Sequence, residues 1–213
     1  MLYFMLHELK YYFRNIKEAI YIYGLFISIV VLLPFGVEEG EIARVAPVGL
    51  WIALACCVSL GGATLFQRDS DEGRLEYYQL LPMPLEQLLL AKWVAFFLFI
   101  AIPLLAMLPF AGLLLAIPPE NWLHYALGLL AGAGALSALA ALASVVAVGL
   151  EKAGAALSLM ILPLSIPVMI FGVEYCRHID IDWQPSLLFI LGFCCLLLPI
   201  YCSAGASCIR AAH

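Results

Sequence analysis

Residues 67–92 read QRDSDEGRLEYYQLLPMPLEQLLLAK, and the fold turns on how this stretch is read. It carries eight charged side chains: Arg68, Asp69, Asp71, Glu72, Arg74, Glu76, Glu86 and Lys92. Apolar runs long enough to cross a bilayer lie on either side of it. A charged loop between two membrane spans cannot sit in hydrocarbon, so it must project into water. Asp69, Ser70 and Asp71 are good helix-capping types, with acidic groups favourable in a first turn. Leu75, Tyr78 and Leu81 recur every three residues, with Tyr77 close by. Arg68, Glu72 and Glu76 recur every four on another face. The pattern predicts a short amphipathic helix ended by Pro82, with Pro84 opening a new helix into the next span. So short a helix is marginal alone in water. It needs a surface to lie on: the membrane, its own bundle or a partner's groove.

The composition agrees with a membrane setting. Of 213 residues, 65% are apolar and 12% charged, and the mean hydropathy is +1.05. Soluble domains sit nearer half apolar and a quarter charged. The net charge of −5 carries little information, because topology follows the placement of Lys and Arg. There is no basic cluster, so no nucleic-acid partner is expected. Six of the seven cysteines lie in apolar runs or at a run's end, and no Cys-x-x-Cys spacing occurs. A disulfide framework is therefore not expected.

Working outward, the hydropathy predicts an all-α membrane protein forming a single transmembrane domain over 1–213. Six spans are expected, near 19–35, 46–66, 93–117, 122–150, 153–173 and 185–209. Residues 1–18 alternate Leu2, Phe4, Leu6, Leu9, Tyr12 and Phe13 with His7, Glu8, Lys10, Arg14 and Lys17. That suggests an amphipathic interfacial helix; the plainer alternative is an extension of the first span. A cleaved leader is not expected, because no small-x-small site follows the first span. Lys10, Arg14, Lys17, Arg68, Arg74, Lys92, Lys152 and Arg210 fall on one side, and Arg44 and Arg177 on the other. The excess marks the cytosolic side, and an even span count puts both termini there.

What the spans lack is also informative. No Asp, Glu, Lys, Arg or His lies near the centre of any span, which argues against an ion-coupled carrier. No Gly-x-x-x-x-Gly-Lys-Ser/Thr loop occurs, so this chain is not expected to be an enzyme that hydrolyses nucleotide. The fourth span is rich in small residues, among them Gly128, Gly132, Gly134, Ser137, Ala138, Ala141 and Ser144. They allow close helix approach, either inside the bundle or at a subunit interface. Pro103, Pro109, Pro163, Pro167 and Pro199 interrupt spans, and Pro163 with Pro167 predicts either a flexible break or a fixed bend.

Four blocks give the chain a resemblance to a known family. They are Arg44-Val45-Ala46-Pro47 with Trp51; Leu65-Phe66, Asp69, Glu72-Gly73 and Leu75-Glu76; Leu81-Pro82-Met83-Pro84-Leu85 followed by Leu90-Ala91-Lys92; and Leu162-Pro163-Leu164-Ser165-Ile166-Pro167 with Ile170-Phe171. Together they resemble the CcmB family, the permease-type subunit of the heme ABC exporter in cytochrome c maturation. Gln67 and Arg74 depart from the family's usual basic and small hydroxyl residues. The resemblance implies an ABC-2-like permease in the bacterial inner membrane. It implies two copies docking a partner ATPase, CcmA, with CcmC and CcmD in the membrane and the heme chaperone CcmE outside. Residues 67–92 would then be the cytosolic coupling segment, with Phe66, Arg68, Asp69, Asp71, Glu72, Gly73, Leu75, Glu76 and Tyr78 contacting the ATPase. No cofactor is expected in this chain. ATP belongs to the partner, and heme is a candidate cargo. His124 and His178 are the outer-side candidates for heme ligation, though they read more simply as boundary residues. A permease for another substrate, or a non-transporting scaffold for the ATPase, would carry the same features.

Overall fold

A computed structural model describes residues 2–38, 40–63, 65–66, 69, 73–74, 78, 84–147, 153–178 and 185–211. The described residues form seven α-helices: α1 (Leu2–Arg14), α2 (Ile16–Leu32), α3 (Ile42–Ala63), α4 (Leu85–Leu114), α5 (Trp122–Val146), α6 (Ala153–Arg177) and α7 (Pro185–Ala211). Short 3-10 turns at Leu33–Gly36 and Pro119–Asn121 close two of the connections. Among the described residues, five helical stretches are long and apolar enough to cross a membrane: Lys17–Gly36, Ile42–Ala63, Leu85–Leu114, Pro119–Val146 and Pro185–Arg210. α6 is 25 residues long and packs against α3, α5 and α7.

The helices begin and end where backbone chemistry dictates, which is not always where hydropathy changes. α4 starts at Leu85, immediately after Pro84 in extended conformation, eight residues before the apolar run that predicts it. Hydropathy marks the edge of hydrocarbon, whereas a helix runs on into water until a capping residue stops it. α4, α6 and α7 continue through Pro103, Pro109, Pro163, Pro167 and Pro199. At its other end α4 closes with Ile117 N–H bonded to the Gly112 carbonyl at 2.8 Å and Ala116 at φ 53°. Glycine usually takes that left-handed position.

α5 is the hub: it packs on α3, α4, α6 and α7. Its small residues serve this internal packing. Trp51 of α3 lies directly against Gly132 of α5 and Gly172 of α6, where a Cβ on either glycine would collide with the indole. Its Nε1–H donates to Cys176 Sγ at 3.5 Å. Gly128 lies under Tyr175 in the same way, and Gly62 against Ala140. α2 and α7 lie at the periphery, with large apolar side chains such as Tyr21, Leu32 and Leu196 exposed.

The first eighteen residues are two helices, broken at Asn15. α1 packs along α4: the Tyr12 ring stacks on Phe99 at 5.3 Å and leans on Phe96 at 6.3 Å. Phe4, Met5, Leu9 and Tyr12 form the inward face, while Leu6, His7 and Lys10 point out.

Candidate functional site

The chain leaving α3 is pinned before it becomes polar. Leu65 and Phe66 are buried, and the Phe66 N–H donates to Ser144 Oγ of α5 at 3.1 Å. The Phe66 ring tilts against Tyr201 of α7 at 6.4 Å. The Tyr201 hydroxyl donates in turn to the Leu89 carbonyl of α4 at 3.0 Å.

Three residues further on, Asp69 turns inward and forms an ion pair with Lys92 of α4. Both are almost completely buried, at 3% and 1% exposure. The carboxylate also accepts from the Tyr78 hydroxyl at 2.9 Å, and Arg74 Nη1 stands 3.8 Å away. The Lys92 ammonium lies 4.7 Å from the Phe66 ring centre and 5.6 Å from that of Tyr78, where aromatic faces attract a cation. A buried charge is tolerated only when paired and hydrogen-bonded, and this one has a carboxylate, a hydroxyl and two rings around it.

α1 closes the cluster from outside. Phe4 meets Tyr78 edge to face at 6.1 Å, and Arg74 lies over the Tyr11 ring at 4.8 Å. Glu8, only 4% exposed, sits on the same face of α1, near enough for its charge to bear on Lys92 and Tyr12. Burial first, then that carboxylate, pushes the Tyr12 hydroxyl well above the ordinary tyrosine range. The cluster is therefore a joint where α1, the polar segment and α4 meet. Displacing the segment would expose buried charge.

The opposite end of the bundle carries His124 and His178. The His124 ring stacks on Tyr175 at 4.0 Å, and its Nε2 donates to the Tyr175 carbonyl at 2.8 Å. His178 Nε2 pairs with Glu174 at 2.8 Å. Each histidine thus has a local structural partner. Among the described residues no group of three or more His, Cys, Asp or Glu is arranged to hold a metal ion.

A family model described as CcmB protein matches residues 1–212. The chain belongs to the CcmB family. It is similar to heme exporter protein B of Paracoccus denitrificans, 36% identical over 191 residues that make up 87% of each chain. Against heme exporter protein B of Rhodobacter capsulatus it is 37% identical over 157 residues, 72% of this chain and 71% of the relative. Against that of Escherichia coli K12 it is 36% identical over 187 residues, 85% of each.

The CcmB-like blocks land on structurally distinct places. Trp51 is the wedge between α5 and α6, and Phe66, Asp69 and Lys92 are the joint. Of the residues expected to contact a partner, Phe66, Asp69 and Tyr78 are buried within this chain, so here they hold the segment in place. Gly73 is exposed, with φ 67°. Arg68, Asp71, Glu72, Leu75 and Glu76, and with them most of the expected coupling helix, lie outside the described residues. Sequence reading missed the partner of Asp69, which it took as a helix cap. The available signal was Lys92: a lone charge eight residues inside an apolar helix requires a counter-ion. Glu8 was also missed, although its four-residue spacing from Phe4 and Tyr12 puts it on the apolar face.

Proposed function

We propose that this CcmB-family chain is the permease-type membrane subunit of an ABC heme exporter system of c-type cytochrome biogenesis. In this reading residues 67–92 carry the stroke of a partner ATPase, CcmA, into the bundle. The names of the relatives support the system, and the buried Asp69–Lys92 pair is the observation that supports the coupling. A segment tied by a buried ion pair to α4, and by Phe66 to α5 and α7, cannot move without moving those helices. In this reading Arg68, Asp71, Glu72, Gly73, Leu75 and Glu76 are the contacts for the ATPase, while Phe66, Asp69 and Tyr78 transmit the force. ATP is bound and hydrolysed in the partner, and this chain contributes no catalytic group. α6 is the fifth of six spans in chain order, the segment is cytosolic, and the protein lies in the bacterial inner membrane with both termini inside. Two copies work with two ATPases, with CcmC and CcmD as membrane neighbours. The output is heme export or release of heme-loaded CcmE.

The test is co-purification of the complex, followed by ATP-driven release of the heme-loaded chaperone. Asp69→Asn should leave the ATPase bound but lower release per ATP hydrolysed by about tenfold or more. Glu76→Lys should weaken ATPase binding itself. Normal release by both variants would refute the coupling role. Normal release by Asp69→Asn, with release lost only where Glu76→Lys loses ATPase binding, would point to a scaffold.

A further inference from the structure

At the end of the bundle opposite the joint, a cavity of about 380 Å³ opens between the start of α3, the turn before α5 and the end of α6. Arg44, Pro47, Asn121, Tyr125, Cys176 and Arg177 line it. From the residues that form it, we infer that this cavity binds a phosphate-type oxyanion, presented there by the headgroup of an anionic phospholipid.

Arg44 of α3 and Arg177 of α6, far apart in sequence, both line this one space. Like charges gathered in this way repel, and an anion between them relieves the repulsion. Arginine offers planar paired donors that match phosphate oxygens, which a lysine would not. The pairing that Arg44 makes in this chain does not compete strongly. It is an ion pair with Glu41 at 3.4 Å, one turn away and largely exposed. Such pairs contribute at most about 1 kcal/mol.

Tyr125 of α5 adds a donor from a third helix. It is only 5% exposed, it lines the cavity, and among the described residues its hydroxyl has no hydrogen-bond partner. The hydroxyl is not sealed from the cavity, so it can donate to an acceptor that enters there. An oxyanion accepts from this hydroxyl, from the Asn121 amide and from both arginines at once. Pro47 and Cys176 form the less polar part of the wall, and the Trp51 N–H already donates to the cysteine sulfur. The cavity sits where apolar helices give way to turns, the level at which phospholipid phosphates are concentrated. This inference does not depend on ATPase coupling.

The experiment uses the full chain purified in detergent and reads bound lipid by native mass spectrometry. The probes are dioleoylphosphatidylglycerol, dioleoylphosphatidylcholine and inorganic phosphate as competitor. Phosphatidylglycerol should be retained by the parent protein. Arg44→Ala and Arg177→Ala should each weaken retention by about tenfold, the scale of one charge-assisted contact. Tyr125→Phe should weaken it less, and Arg210→Ala, at the other end, not at all. Competition by inorganic phosphate would assign the oxyanion to a soluble source. Its failure would assign it to lipid, and either result supports the arginine site. Equal retention by the parent and both arginine variants would overturn it. Arg44 is exposed, so a folded variant is expected, and its thermal midpoint without lipid verifies that.

Discussion

Lys92 is 1% exposed, and every neighbour that makes an ammonium tolerable there comes from another part of the chain. Asp69 neutralises it, Tyr78 shares the carboxylate, and the Phe66 ring lies beside it. Breaking such a pair costs more than the pair itself contributes, because the remaining charge stays buried. Asp69→Asn is therefore expected to destabilise the bundle by about 3–5 kcal/mol, and Lys92→Met by less. The double variant should recover much of the loss, since it removes both charges. Thermal midpoints of the three variants in one detergent measure this, and simple additivity of the two single effects would exclude a coupled pair. Tyr12 gives a second prediction, in pH. The free phenol titrates near 10, and burial beside Glu8 raises the folded value well above that. The folded state therefore holds this proton more tightly than the unfolded state. The stabilisation is complete below about pH 10 and is lost as pH rises beyond it toward the folded value. Between about pH 9.5 and 11, Tyr12→Phe should lose stability less steeply than the parent in parallel thermal melts.

Helix α5 shows what an element can and cannot reveal through its own sequence. Its small residues announce close packing. Its partner in that packing, Trp51, lies on α3, and nothing within α5 points to it. Gly132→Ala and Gly172→Ala should each destabilise by about 1–3 kcal/mol, because the indole and two backbones cannot all yield. Gly134→Ala, whose nearest neighbours are 3.7 Å away, and Gly192→Ala, with nothing within 4 Å, should be close to neutral. Equal losses at all four positions would exclude the tryptophan wedge as the cause, since alanine is otherwise the better helix former. The same limit explains the rest of the comparison with sequence. Apolar runs, prolines and isolated charges mark the helices and their connections, because each reports a local cost of leaving water or losing a backbone bond. The joint was only half legible. Asp69 has the chemistry of a helix cap and of an ion pair alike, and the choice between them lies with Lys92, twenty-three residues away. Glu8 was read as part of a polar face because its company on α1 includes Lys10 and Arg14. Its burial comes from α4.

For the molecule as a whole, the arrangement of charge separates two ends. Arg210 of α7 pairs with Glu86 at the start of α4 at 3.2 Å, on the end that holds Asp69, Arg74 and Lys92. Arg44 and Arg177 line one cavity at the other end. The basic excess at the first end predicts that it faces the cytosol. Accessibility to a membrane-impermeant maleimide measures this in a background with all seven native cysteines replaced. Gly73 is a poor probe, since its left-handed backbone would strain any side chain. Gln87, His7 and Ser207 are exposed near the expected inner face, and Glu38 is exposed near the outer one. Gln87→Cys should label in inverted vesicles and stay unlabelled in intact spheroplasts, whereas Glu38→Cys should do the reverse. His7→Cys and Ser207→Cys should both follow Gln87. Their agreement depends on α6, because a chain crossing six times returns its end to the side where it began, and one crossing five times does not. Labelling of Ser207→Cys from the Glu38 side would show that α6 does not cross. Labelling of Gln87→Cys in intact spheroplasts would place the joint on the outer face, beyond the reach of any cytosolic ATPase.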